Sequence, residues 1–198
     1  MFDLLIRNAS VFDGSGGPGR VTDVAITGDT IAAVGSMPYA RSQAVLQADG
    51  LSLLPGFIDT HTHSDAVIAN GDLREAALRQ GVTTEIIGSC GIGTVPLTSE
   101  SRAYLDTVKG IIGPLRPEIR TESVRAFFGS TRQCATNYAL QLAHSPLRCT
   151  IAGCHDTELQ PEQLNAMQQA LRGALSQGAC AFTTGLSYFP AAFCNTQE

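Results

Sequence analysis

Lysine is almost missing from this chain: Lys109 is the only one in 198 residues, and the remaining positive charge comes from scattered arginines. The formal net charge is -5 and no basic patch is visible, which makes nucleic acid or an anionic membrane surface a poor partner. A carboxylated lysine can bridge two metal ions, but Lys109 sits in a long connection and is badly placed for that task. Long apolar runs are lacking too. No segment reaches the roughly 18 apolar residues of a membrane span. The start, Met1 to Arg7, has no basic region leading into an apolar stretch. A soluble cytoplasmic protein with no membrane partner is the simplest reading. The glycine-rich run Gly14 to Gly19 lacks the Lys-Ser/Thr ending of a phosphate loop. A secreted disulfide framework is also disfavoured. The six cysteines (90, 134, 149, 154, 180 and 194) lie in a chain that is neither short nor led by a signal, so most are expected to be reduced and buried.

The chain does have the composition of an ordinary globular α/β protein, with 43% hydrophobic residues, 20 glycines and 9 prolines. Residues 1–54 read as short strands separated by glycine turns, including a hairpin around Gly28-Asp29, and predict a small β-sandwich or barrel segment. From residue 55 the texture changes. An apolar strand ends at Asp59, and a predicted helix with Asp72 near its cap stops at Gly81. The β-branched run Val82 to Ile87 then follows as the next strand. Strand, helix and strand in this order make a βαβ unit with parallel strands. Residues 91–135 predict an excursion or lid containing helices near 99–108 and 122–128. Weaker strand patterns lie at 138–142 and 150–153. Pro161 opens the clearest helix, with Leu164, Met167, Leu171, Ala174 and Leu175 on its apolar face and a stop at Gly178. A buried strand is expected from Ala179 onward.

The chemistry-bearing pattern is Asp59-Thr60-His61-Thr62-His63 at the end of an apolar strand. Histidines spaced i, i+2 on extended backbone project from one side, where both imidazoles can reach one metal ion. Cys90 follows the next strand among Gly88, Ser89 and Gly91, where a thiolate could bind or bridge zinc; a buried structural cysteine is the alternative. Glu85 lies inside its strand, short of the C-terminal edge, and is a less attractive bridge. Asp59 and Asp65 could orient a ligand from behind, or could simply cap and pack the chain. His144 and His155 show no such spacing and read as structural or surface residues. Tyr188 follows a strand end and could bind a substrate carboxylate or carbonyl, or lie as an ordinary amphipathic surface residue.

Three segments together carry a family likeness: Pro55 to Asp65, Gln80 to Glu85, and Gly88 to Gly91. With Gly185-Leu186-Ser187-Tyr188-Phe189-Pro190 and Thr196-Gln197-Glu198, the sequence resembles the amidohydrolase superfamily, and within it the N-acyl-D-amino-acid deacylase (D-aminoacylase) family. The resemblance implies an N-terminal β segment followed by the first half of a metal-bearing (β/α)8 barrel. It implies His61, His63 and Cys90 as metal ligands, zinc as the cofactor in one or two ions, and Tyr188 as a substrate contact. It places His144 in a Gly-His-x-x-x-Arg-like run that does not touch the metal. Ser89 stands where the family usually has Asn. Ala143 and Ser145 flank His144 where Gly is common, and Ala191 replaces a common Gly after Pro190. Two further histidine ligands and the general-base aspartate are expected beyond residue 198, so no catalytic acid–base residue is assigned within it.

The implied activity is zinc-dependent hydrolysis of small-molecule N-acyl-D-amino acids, with the 198 residues inactive by themselves. The missing half, or a partner chain, would be needed to close the barrel. A cyclic-amide amidohydrolase is the enzymatic alternative, and a metal-binding remnant without activity is the non-enzymatic one.

Overall fold

The computed structural model describes residues 1–132, 134–155 and 158–198, and the chain divides into two units, Met1–Gly56 and Phe57–Glu198. The first unit is a five-stranded sheet of β1 (Phe2–Val11), β2 (Arg20–Thr27), β3 (Thr30–Gly35), β4 (Ser42–Gln47) and β5 (Ser52–Leu53). Its order is β3-β2-β1-β4, with β5 also on β1. Strands β1, β2 and β3 form an antiparallel meander, whereas β4 and β5 run parallel to β1. Strand β1 runs through Asn8 without a break. Its register slips between Ile6 and Ala9, and Asn8 takes a φ of 57°, as a bulge requires.

Asp23 is buried in this sheet, and its carboxylate accepts from Arg7 Nη1 (3.3 Å) and from the backbone N–H groups of Asn8 (3.1 Å) and Met37 (3.0 Å). Three donors offset the desolvation of one charge. Ile6, Ala9, Val24 and Ala48 form the small core. Beside it, Val11, Ile31, Val34 and Leu54 help line an open apolar cleft of about 390 Å³.

The second unit starts at β6 (Phe57–Asp59), followed by α1 (Gly71–Arg79), β7 (Val82–Ile87), α2 (Tyr104–Ile112), α3 (Val124–Ser130), β8 (Asn137–Ala143), α4 (His144–Ala152), α5 (Pro161–Ser176) and β9 (Ala181–Thr183). The strands pair in parallel in the order β6-β7-β8-β9, the sequential order of a half-barrel. Each crossover is helical because apolar residues recur at helical spacing and polar caps supply the first-turn partners. Asn70 accepts from the Leu73 N–H, and Ser123 from the Ala126 N–H. Gln160 and Gln163 cap α5 reciprocally, with Pro161 in the first turn.

The excursion at 91–135 is woven into the core. Val95, Ile119, Val124 and Phe127 pack with Ile87, Leu140, Leu142 and Met167, while Ile92, Leu97, Tyr104, Val108 and Ile112 make a second cluster with Ala66. Phe127 alone, wholly buried, contributes roughly 1.5–3 kcal/mol relative to exposure.

The segment 150–153 is not a strand. Thr150 to Ala152 is the last turn of α4, and Gly153 caps it. The β preference of Thr150 and Ile151 yields to tertiary bonding, in which the Thr150 hydroxyl donates to Pro96 O (2.9 Å) and meets Ser101 Oγ at 2.9 Å. The helix predicted at 99–108 lies further on, at Tyr104–Ile112. Leu175, assigned to the buried face of α5, is exposed, and burial centres on Met167 and Ala174. Cys149 and Cys154 are joined by a disulfide, and Cys180 is exposed, both departures from the expected reduced, buried state. Among the described residues no helix is long and apolar enough to cross a membrane.

Candidate metal centre

Strand β6 ends at Asp59, the chain bends at Thr60 and His61, and Thr62 is tied back to β7. Its N–H and its hydroxyl both donate to Ile86 O, each at 3.2 Å. The His61 and His63 ring centroids lie 5.6 Å apart, nearly edge-to-face. From β7 the chain turns tightly at Ser89–Gly91, and the Cys90 Sγ comes to 3.2 Å from His61 Nε2. One donor atom from each of His61, His63 and Cys90 falls within 4.8 Å of the other two.

Bond lengths of ~2.0–2.3 Å around a tetrahedral zinc put donor atoms roughly 3.3–3.8 Å apart. The Cys90–His61 pair, at 3.2 Å, is just short of that range, and a separation at the 4.8 Å limit needs a contraction of about 1 Å, within reach of side-chain rotation. Other features suit a cation. His63 Nδ1 is buried with no hydrogen-bond partner. Burial, and then the neighbouring His61, hold the His63 imidazole below the usual histidine range and favour the neutral ring a metal requires. The two histidines open onto a cavity of about 470 Å³ lined also by Val67, Arg74, Ile111 and Ile112, among others.

The turn that carries Cys90 is conformationally demanding. Gly88 (φ 84°), Cys90 (φ 58°) and Gly91 (φ 68°) are all left-handed, and for a residue with a Cβ such as Cys90 this costs roughly 1–2 kcal/mol. A Cβ on Gly88 would lie 2.3 Å from Gln141 O, so that position admits only glycine.

The two aspartates expected behind the ligands behave differently. The Asp59 carboxylate accepts from the His61 backbone N–H (3.1 Å), so the contact fixes the chain path and not the ring. Asp65 is fully buried, and neither oxygen has a hydrogen-bond partner, so the expected bond to an imidazole is not made. Burial pushes its carboxyl up to about 7, opposed by the nearby Asp65 and Gly88 backbone N–H groups. Tyr188 sits in the turn after β9, partly exposed, with its ring against Gly185. Lys109 is exposed on α2 and pairs with Asp106 at 3.4 Å.

Two charged networks were not legible as site features. Glu85 points to the helix layer, where it accepts from Ser64 Oγ (2.7 Å), Thr136 Oγ1 (2.7 Å), Arg74 Nε (2.9 Å) and Arg74 Nη2 (2.5 Å). Ser64 Oγ in turn meets Thr62 Oγ1 at 3.0 Å, which links the buried ion pair to the residue between the two histidines. The second network lies behind β9. His144 Nδ1 meets Thr184 Oγ1 at 2.9 Å and its Nε2 meets Glu198 Oε1 at 2.9 Å, while Arg148 Nε donates to the same oxygen at 2.8 Å. The only sequence cue to it is the i, i+4 spacing of His144 and Arg148, which puts both on one face of α4.

No family model matches the chain. Over 199 aligned residues it is 35% identical to the D-aminoacylase of Alcaligenes xylosoxydans xylosoxydans, an alignment covering 100% of this chain and 40% of that relative. It superimposes with a TM-score of 0.87 and 32% identity on the crystal structure of a D-aminoacylase described as defining a novel subset of amidohydrolases, covering 100% of this chain and 41% of that one. An N-acyl-D-glutamate deacylase from Bordetella bronchiseptica, complexed with zinc and a phosphonate mimic of the tetrahedral intermediate, matches with a TM-score of 0.83 and 31% identity, covering 98% and 40%. The chain therefore spans about 40% of the length of the relatives it matches.

Proposed function

The chain belongs to the D-aminoacylase family of amidohydrolases, and from that premise we propose that it forms the first half of a zinc-dependent barrel that hydrolyses N-acyl-D-amino acids to a carboxylate and a D-amino acid. The observation that carries this reading is the convergence of His61, His63 and Cys90 at the C-terminal ends of β6 and β7, the end where parallel barrels assemble their sites. Zinc held by these three donors supplies Lewis-acid polarisation of the acyl carbonyl and a water of lowered pKa.

The chain's own residues then have definable tasks. His63, kept neutral by burial, offers a lone pair without first losing a proton. Thr62, between the two histidines, anchors their loop to β7 through its two bonds to Ile86 O. The Tyr188 phenol, on the turn beyond β9, hydrogen-bonds the substrate carboxylate or carbonyl. Among the described carboxylates near the site none is placed as general base: Asp59 caps backbone, Asp65 is enclosed, and Glu85 is saturated by three side chains. The proton-transferring aspartate and the remaining ligands are assigned to strands outside the 198 residues, contributed by the rest of the barrel.

The test is an amide-hydrolysis assay on N-acetyl-D-amino acids and their L enantiomers, using protein that continues through the remaining barrel strands. We expect D-selective release of the amino acid, abolished by chelation and restored by zinc. The 198 residues alone should show none. Metal-replete protein that cleaves a cyclic amide but no N-acyl-D-amino acid would overturn the substrate assignment.

A further inference from the structure

Cys90 reaches His61 from a turn that is left-handed at three of four positions, and the only local backbone bond recorded for it among the described residues is Ile92 N–H to Ser89 O at 2.9 Å. A further restraint comes from across the sheet, 92 residues later in sequence. Thr183, the last residue of β9, donates its hydroxyl proton to Gly88 O at 2.5 Å and accepts the Gly91 N–H at 3.2 Å through the same oxygen. One hydroxyl thus bridges the two glycines that bracket Cys90, satisfying the carbonyl that enters the turn and the amide that leaves it. The following backbone closes the other side. A Cβ on Gly185 would lie 2.1 Å from Cys90 O, and one on Gly91 would lie 2.7 Å from Gly185 N, so the two chains touch with no space to spare. The end of β9 is itself fixed from behind, since Thr184 is bonded to buried His144, whose other nitrogen meets Glu198.

We propose that Thr183 is a positioning residue for the metal centre: its hydroxyl clamps the Gly88–Gly91 turn so that the Cys90 thiolate faces His61 and His63. It touches neither substrate nor metal, and it acts through the turn. The inference rests on the assignment of Cys90 as a metal ligand given above.

The experiment uses cobalt(II) as probe, because a thiolate bound to cobalt gives a near-ultraviolet charge-transfer band that imidazole alone does not. The purified protein and its Thr183→Val and Thr183→Ser variants are titrated with cobalt, and in the metal-free proteins the alkylation rate of Cys90 is followed by peptide mass spectrometry. Thr183→Val keeps the branched shape and loses the hydroxyl. We expect it to bind cobalt at least tenfold more weakly, with a diminished thiolate band, and to alkylate several-fold faster at Cys90. Thr183→Ser, which retains the hydroxyl, should match the parent in all three readouts. A valine variant with unchanged affinity and band overturns the proposal, and so does a serine variant impaired as much as valine, which also decides the matter if valine does not fold. A parent protein that binds cobalt without any thiolate band would instead overturn the assignment of Cys90 as ligand, and the proposal with it.

Discussion

Cys90 Sγ lies 3.2 Å from His61 Nε2, across the gap between two neighbouring parallel strands and 29 residues apart in sequence. A thiol and an imidazole at this separation form a hydrogen bond in the absence of metal and, on the function proposed above, would be a pair of ligands in its presence. The same geometry therefore serves both states with little side-chain movement.

Metal content gives the first prediction. His61→Ala, His63→Ala and Cys90→Ala should each lower bound zinc, measured by elemental analysis after gel filtration, and the double His61→Ala/His63→Ala variant should bring it to background. Zinc content that is unchanged in all three single variants would show that these donors do not form the site.

Glu85→Gln should destabilise the fold by roughly 3 kcal/mol, because breaking a buried pair from one side leaves the other charge uncompensated. Glu85 is completely buried and Arg74 largely so. The check is a urea unfolding midpoint. A loss below about 1 kcal/mol would mean that Arg74 turns out to solvent and that the pair does not hold the His61–His63 loop through Ser64 and Thr62.

Glycine substitutions should split by position. Gly185→Ala would drive a Cβ to 2.1 Å from Cys90 O, and the expected outcome is either loss of folded protein or a displaced Cys90 with lost metal. Gly173→Ala, inside α5 with nothing within 4 Å of the new Cβ, should instead stabilise by about 1 kcal/mol through helix propensity. Thermal unfolding followed by circular dichroism separates them. Similar responses at both positions would contradict the packing of β9 against the Cys90 turn.

Surface electrostatics should matter little. Glu75→Ala removes the exposed i, i+4 pair with Arg79, and the expected change is at most ~0.5 kcal/mol, shrinking further with added salt. A larger, salt-insensitive loss would mean that Glu75 has a partner beyond Arg79.

Much of the fold was legible because it is encoded locally. The hairpin at Gly28-Asp29, the strand Val82–Ile87 and the long helix opened by Pro161 each follow from period, turn chemistry and capping within a dozen residues. Where local and tertiary preferences conflict, the sequence misleads: Thr150 and Ile151 are β-branched yet helical, because the Thr150 hydroxyl is engaged by Pro96 and Ser101. Leu175 fits an apolar stripe yet is exposed, because burial depends on what stands opposite and not on period alone.

For the candidate site, the sequence by itself singled out His61, His63 and Cys90 and the strands they follow, since the i, i+2 pair comes just after the apolar strand β6 and Cys90 comes just after β7. Only the tertiary structure decided that Asp59 caps backbone, that Asp65 is enclosed without a partner, and that Thr183 bridges Gly88 and Gly91. The physical reason is range. Periodicity fixes which side of its own strand a residue occupies, whereas a hydrogen bond between residues 92 apart exists only after β7, β8 and β9 have paired and brought their C-terminal ends to one place.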